Sequence, residues 1–253
     1  MNTKKSSYDN FAKEYSESMG DIGDEVHQTQ IDPYVYKIIG DPKEKVICDL
    51  GCGNGYMSRY LAKNNAKVFA SDISESLLEI AKAKSTGLDI NFAMHSADDL
   101  SRYKSEFFDV VVMNMSIHYI DNLDNLFKGI ARVLKDGGVL VFSTNHFFRP
   151  NGPYSEWVKG MVGGEERLFI KVTDYLTRRE NKIMSGWDKK TILSIHNNTL
   201  NGLVNGMSKH GLLTFSVFEP EPVNSGQAYS EELQKSHHIP TFIIFGAKKY
   251  KGD

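Results

Sequence analysis

Apolar positions along the chain change period several times, and the changes mark out the elements. Residues 46–50 (VICDL) form a short apolar run ending in glycines, which predicts a buried strand. Between residues 56 and 63 the spacing turns helical, with Tyr56, Met57, Tyr60 and Leu61 recurring on one side. Residues 67–71 predict a second strand. Ser74 is placed to cap a helix whose apolar face is Leu77, Leu78, Ile80 and Ala81. Residues 89–94 and 107–114 predict the third and fourth strands. Asp121 or Asn122 opens a helix with Leu123, Leu126, Phe127, Ile130, Val133 and Leu134 on one face, and Asp136-Gly137-Gly138 stops it. Residues 139–144 predict the fifth strand. Upstream, residues 31–40 read as a short helix start, followed by a polar break at Pro42 to Lys45.

Strands alternating with helices predict an α/β fold, with a Rossmann-like, mostly parallel sheet covered by helices on both faces. The alternation lapses over residues 145–198, where aromatics gather between Phe147 and Trp157 and a Gly163-Gly164 pair follows. This stretch has too few apolar residues for a core of its own, so it reads as an inserted lid rather than a second domain. Beyond it, residues 199–209 predict a helix. Residues 212–219 and 240–247 predict two further strands, seven in all, with Pro220 and Pro222 opening the connection between them. The expected organisation is one domain over residues 1–253, with an N-terminal cap segment at 1–40 and a lid at about 145–198.

Composition narrows the function. The chain has 253 residues and a formal charge of −2, from 30 Lys+Arg against 32 Asp+Glu. That balance gives no cationic footprint for binding nucleic acid, so no nucleic-acid partner is expected. Two cysteines, Cys48 and Cys52, form no disulfide framework and read as free thiols in a reducing compartment. The N-terminus lacks an apolar signal-type segment, and no run of ~18 apolar residues provides a membrane span. The expected location is cytoplasmic.

The chemistry concentrates in Asp49-Leu50-Gly51-Cys52-Gly53-Asn54-Gly55, which leaves the first strand and opens the first helix. Glycines let the chain turn sharply and approach a ligand closely, and the helix start adds oriented N–H groups. Asp72, 21 residues beyond Gly51, ends the next strand where a Rossmann fold places a ribose-binding carboxylate. A dinucleotide turn has the spacing G-x-G-x-x-G. Here it is G-x-G-x-G, with Asp49 two residues ahead. A carboxylate there repels pyrophosphate and favours a ligand with an ammonium group, such as the methionyl end of S-adenosylmethionine. This argues against a nicotinamide oxidoreductase.

DLGCGNG, ASDIS after the second strand, FDVVVMN, and RVLKDGG with VLVFS together resemble the class I S-adenosylmethionine-dependent methyltransferases. They are most similar to the small-molecule branch, the type 11 or ubiquinone/menaquinone-biosynthesis-like group. The resemblance implies a seven-stranded sheet whose last strand runs antiparallel beside the fifth. It also implies S-adenosylmethionine as cofactor and S-adenosylhomocysteine as product. On it, Gly51, Cys52 and Gly53 pack against the methionyl part, Asp49 orients the amino group, and Asp72 holds the ribose with Ile73 against the adenine. Asn114 and Met115 lie under the sulfonium, and Tyr8 and Tyr15, in YDNFAKEY, close over the cofactor. The family usually has Asp-Ala after the third strand. Here Ser96-Ala97 stands there, followed by Asp98, so Ser96 or Asp98 is left to meet the adenine amino group. Asp136 replaces the usual proline before the glycine pair.

His118 and His146 follow the fourth and fifth strands, at the sheet edge where ligands bind, and are candidate acid–base residues for methyl transfer. Tyr119, Tyr175, Trp187 and His196 are candidates for lining an acceptor pocket. His237-His238 has no partner ligand at a usual spacing, so no metal site is expected. Asn114-Met115-Ser116-Ile117 lacks the Pro-Pro-aromatic pattern for exocyclic amines of bases, and no Pro-Cys nucleophile exists for pyrimidine C5. A small-molecule acceptor methylated at oxygen or nitrogen is the expectation. The alternatives are a quinone-type C-methyltransferase and a non-catalytic S-adenosylmethionine-binding protein.

Overall fold

The computed structural model describes residues 6–148, 155–221 and 240–250. Tyr154, Pro222 and His237-His238 lie outside the described residues.

Seven strands form one sheet in the order β3-β2-β1-β4-β5-β11-β10. They are β1 (Val46–Leu50), β2 (Lys67–Asp72), β3 (Ile90–Met94), β4 (Phe108–Met113), β5 (Leu134–Asn145), β10 (Leu212–Phe218) and β11 (Phe242–Lys249). The first five run parallel, with Cys48 beside Phe69 on one side and Val111 on the other. Strand β11 runs antiparallel between β5 and β10, pairing Ile244 with Ser143. The expected seven-stranded, Rossmann-like α/β sheet is therefore what forms.

Both faces of the central strands are buried, which is why they read as unbroken apolar runs. Val111, Met113, Leu140 and Phe142 point into one core, shared with α5 (Leu123–Val133) and α6 (Leu200–Lys209). Val110, Val112, Val141 and Ile244 point into the other, shared with α2 (Asp32–Ile39), α3 (Tyr56–Lys63) and Leu78 of α4 (Glu75–Lys84). Three helix starts carry side-chain caps: Ser74 accepts from Leu77 N, Asn122 from Asn125 N, and Thr199 from Gly202 N. Helix α5 ends at Val133. Leu134 is already extended, so β5 begins five residues before the predicted run, and its pairing with β4 shifts register between Phe108 and Val110.

Two further features lie beyond the sequence reading. Helix α1 (Ala12–Met19) precedes a π-helical turn over His27–Ile31, which runs into α2. Between β5 and α6 the chain builds two antiparallel hairpins. The first is β6 (Ser155–Val162) with β7 (Glu165–Val172), turned by Gly163-Gly164, both at positive φ. The second is β8 (Arg179–Met184) with β9 (Ile192–Asn197). Among the described residues no helix is long and apolar enough to cross a membrane.

Candidate functional site

The glycine turn at the end of β1 is a cradle that tolerates no side chain. Gly51, Gly53 and Gly55 all have positive φ. A Cβ on Gly51 would stand 2.6 Å from Ser116 Cβ, and one on Gly53 would stand 3.0 Å from Tyr15 Oη. Backbone N–H groups of Gly51 and Cys52 donate to Ser71 O, at 2.8 and 2.9 Å, which ties the turn to the end of β2. Gly53 N donates to Asp72 Oδ2 (2.9 Å) and Ser74 N to Asp72 Oδ1 (2.9 Å). Ser116 Oγ donates to Leu50 O (2.8 Å), bringing the chain after β4 against Gly51.

Three carboxyl groups gather at this end of the sheet, Asp32 and Asp49 buried and Asp72 half-buried. Asp49 is 1% exposed and accepts one bond from Ser58 Oγ (2.5 Å). Burial pushes it up to about 7, with Asp72 and Asp32 adding to the rise and Ser58 opposing it. Burial also raises Asp72, against the pull of the Ser74, Gly53 and Ile73 amides. Asp32 accepts from Tyr56 Oη (3.0 Å) and Asn114 Nδ2 (2.8 Å), and burial lifts it to about 6. Its second oxygen, Oδ2, is buried with no hydrogen-bond partner. The groups acting most strongly on these three include no lysine or arginine. His27 is the one cation acting strongly on the set, through Asp32, and a cluster so short of positive charge favours a ligand that brings it.

Asn114 closes a buried network at the end of β4. Its Nδ2 also reaches Tyr56 Oη (2.8 Å), and its Oδ1 accepts from Ser143 Oγ (2.5 Å). Ser143 in turn accepts from the N–H of Met115, a non-glycine residue held at φ 54°. Ile73 is half-exposed beside Asp72. After β3, Ser96 Oγ donates to Asp98, so the two residues that compete for the adenine role form one unit, with Ala97 buried between them.

Tyr8 and Tyr15 come from the N-terminal segment and meet over the turn. Their rings are 5.4 Å apart, and both stand 5.1–5.8 Å from Trp187 in the turn between β8 and β9. Phe11 stacks on Trp187 at 5.5 Å, and the hydroxyls of Tyr8 and Tyr119 are 2.7 Å apart. Burial raises the pKa of both Tyr8 and Tyr15 above the ordinary phenol value. Asp9 fixes the segment to α4 by accepting from Ser74 Oγ (2.6 Å) and Ser76 N (3.1 Å).

The remaining candidates separate into two places. His118, His146, His196 and Tyr175 line a cavity of about 80 Å³ between the end of β5 and the hairpins. Tyr119 and Trp187 belong instead to the aromatic cluster. His118 Nδ1 lies 3.4 Å from Thr144 Oγ1. His146 Nδ1 accepts from Phe148 N (3.3 Å), so its Nε2 donates to Glu219 Oε1 (2.8 Å). Tyr175 Oη accepts from Leu200 N (2.9 Å). Burial lowers the pKa of His196, with Arg178 adding to the effect.

Asp32, Tyr56, Ser143, Asp9 and Phe11 escaped the sequence reading. The one available signal was the acid in Ile31-Asp32-Pro33, on a helix start that otherwise reads apolar.

Comparisons with known proteins point to methyltransferases of the same fold. The family model described as a methyltransferase domain, type 11, matches residues 48–142. An uncharacterized protein of Haemophilus influenzae is 26% identical over 226 residues, which covers 87% of each chain. A ubiquinone biosynthesis O-methyltransferase of Coxiella burnetii is 35% identical over 125 residues, 49% of this chain and 51% of that protein. The chain thus spans about half the length of that relative. The crystal structure of an S-adenosylmethionine-dependent methyltransferase from Mesorhizobium loti superposes with a TM-score of 0.72 at 25% identity, covering 86% of this chain and 96% of that one.

Proposed function

The chain is a class I S-adenosylmethionine-dependent methyltransferase, and from that premise we propose that it methylates a small-molecule acceptor, at oxygen or nitrogen, above the carboxyl ends of β4 and β5. The observation that carries the cofactor end of this reading is the set of three carboxyl groups at this end of the sheet, on which no lysine or arginine acts strongly. S-adenosylmethionine brings an ammonium group and a sulfonium, and its methyl group is already activated by the charge on sulfur.

The protein's share of the chemistry is therefore to bind, orient and exclude water. Gly51, Cys52 and Gly53 give the methionyl part close backbone approach. Asp49, behind the turn, supplies charge toward the amino group. Asp72 holds the ribose hydroxyls, with Ile73 against the adenine and the Ser96–Ala97–Asp98 unit at its edge. Asn114 and Met115 are held from below by Ser143, and so present a fixed floor beneath the sulfonium. Tyr8 and Tyr15 cover the site as part of an N-terminal cap over residues 1–40, and the insertion at about 145–198 serves as a lid of the same single domain. The contact of Trp187 with Tyr8, Phe11 and Tyr15 supports a joint action of cap and lid. The cavity lined by His118, His146, Tyr175 and His196 is the acceptor side. There His118 takes a proton from the acceptor or positions it, and His146 braces the wall through Glu219.

Calorimetry tests the first half: S-adenosylhomocysteine is expected to bind in the micromolar range and NADH not at all. Binding of NADH alone would refute it. The acceptor is then sought by incubating the protein with methyl-labelled cofactor and a metabolite extract. Mass spectrometry of the labelled product identifies the methylated atom.

A further inference from the structure

Residues 95–107, which carry the chain from β3 to β4, form turns and no helix. Between this loop and the outer strands β2 and β3 lies a cleft of about 440 Å³, a size within the range of small-molecule sites. Arg132 of α5 fixes the loop by donating to Leu100 O (2.7 Å) and Tyr103 O (2.8 Å). The floor of the cleft is aromatic: Phe69 of β2 meets the rings of Phe107 and Tyr103 at 5.2 and 6.1 Å.

The rim is cationic. Arg102 and Lys104 line the cleft, and among the described residues no Asp or Glu does. Arg102 Cζ stands 5.7 Å over the ring of Tyr103 and Lys104 Nζ 5.0 Å over that of Phe107. Lys67 Nζ, from the start of β2, stands 5.8 Å over Phe69. The pull of a ring face on a cation holds these charged ends at the cleft. Among the described residues none of the three cations is ion-paired. Acids of the same loop are engaged elsewhere, Asp98 by Ser96 Oγ and Asp99 by Ser101 N (3.1 Å). Cations of one sign around an apolar floor attract a ligand that is itself apolar and negative.

We propose that this cleft binds an apolar organic anion of the aryl carboxylate class, and that its occupancy is felt at the cofactor site. The ring system lies against Phe69, Tyr103 and Phe107, with the carboxylate toward Arg102 and Lys104. A cationic ligand of the same shape would meet unpaired positive charge instead. The link to the cofactor runs through Tyr103. Ser96 O only accepts, so His95 Nδ1 donates to it (2.9 Å), and His95 Nε2 accepts from Tyr103 Oη (3.1 Å). Burial lowers the pKa of His95 and so favours the neutral ring that this arrangement needs. A ligand that fixes Tyr103 thereby fixes Ser96, whose hydroxyl holds Asp98. This link rests on the methyltransferase reading, which puts that unit at the edge of the adenine; the binding itself does not.

Calorimetry on the full chain tests the inference with 2-naphthoate, 2-naphthamide and 2-naphthylmethylamine, each with and without saturating S-adenosylhomocysteine. 2-Naphthoate is expected to bind roughly tenfold more tightly than the amine, with the amide between, as exposed charge contacts worth a few-fold each add up. Arg102→Glu combined with Lys104→Glu, both at exposed positions, is expected to reverse that order at an unchanged melting temperature. Lys104→Ala, a milder change, is expected to weaken 2-naphthoate about threefold. Saturating 2-naphthoate is expected to tighten S-adenosylhomocysteine about threefold. Tyr103→Phe keeps the ring and removes the hydroxyl, so it is expected to abolish that gain while 2-naphthoate still binds. An amine that binds as tightly as the acid overturns the inference. So does binding of none of the three, or 2-naphthoate binding that both charge variants leave intact. S-adenosylhomocysteine affinity that ignores bound 2-naphthoate overturns the link to the cofactor site. A protein that takes 2-naphthoate but not S-adenosylhomocysteine would instead sink the methyltransferase reading and leave the cleft as an anion site.

Discussion

Asp49 and Asp72 reach the same edge of the sheet on neighbouring strands, and burial raises both above the ordinary carboxylate range. A cationic ligand lowers those pKa values, so its binding must release whatever proton they carry. Cofactor affinity is therefore expected to rise as pH climbs through about 7, where Asp49 ionises, and then to level off. Calorimetry in buffers of differing ionisation enthalpy should show proton release near pH 6 that Asp49→Asn diminishes. Asp72→Ala is expected to weaken S-adenosylhomocysteine binding by ~1.5–3 kcal/mol, the range for losing hydrogen bonds to a charged group. An unchanged Kd in a folded variant would remove Asp72 from the site. If His118 takes the acceptor's proton, His118→Asn lowers kcat by roughly 10²–10⁴ with cofactor affinity intact. If it only positions the acceptor, KM rises instead. At this scale the sequence is legible where the site is contiguous. Asp49, the glycines and Asp72 lie within one strand–turn–helix–strand unit, and their spacing carries the chemistry. The Asp32–Tyr56–Asn114–Ser143 network draws on four separate elements, and no spacing rule connects them.

The central strands of the sheet were readable because burial on both faces leaves an unbroken apolar composition. The hairpins were not, because they have little to bury. Along β6 no side chain is fully buried, and in β8 only Asn181 is, so neither strand carries a clean apolar alternation. Helix α1 was missed for a related reason: its buried face is Ala12, Ser16 and Met19, two of them too small to register as a stripe. Elements with few apolar anchors open locally at low cost. Hydrogen exchange over residues 155–198 and 6–19 is expected to slow on cofactor binding, and equal protection with and without ligand would argue against a closing cap and lid. Asp9 is the test of their anchoring. Asp9→Ala removes the bonds from Ser74 and Ser76, and is expected to cost ~1 kcal/mol, as for a lost helix cap. The same variant should speed exchange at residues 6–19 before it affects the sheet, as read by mass spectrometry.

For the molecule as a whole, the same carboxyl groups set how stability varies with pH. Asp32 at about 6 and Asp49 at about 7 titrate above the ~3.9 of an unfolded aspartate, so folding favours their protonated forms. That contribution is complete below pH ~4 and is lost as pH rises through 6 and 7. Asp24 and Asp109 act in the opposite sense. His27 and Lys135 are among the groups that hold them low, so their contribution is present above pH ~4 and fades in acid. The ligand-free protein should thus be most stable near pH ~5 and melt several degrees lower at pH 8, a slope that saturating S-adenosylhomocysteine or Asp49→Asn reduces. A melting temperature that climbs from pH 5 to 8 would contradict this account of the buried carboxyl groups.

Trp187 sits among Tyr8, Phe11 and Tyr15, and the chain holds just one other tryptophan, Trp157. Trp157→Phe would make the indole of Trp187 the sole long-wavelength fluorophore, surrounded by tyrosines close enough to pass it their excitation. Any loosening of the contact between N-terminal segment and hairpin would expose that indole to water and shift its emission to the red. The protein thus carries a built-in optical gauge of that contact, one that needs neither an attached dye nor a known acceptor.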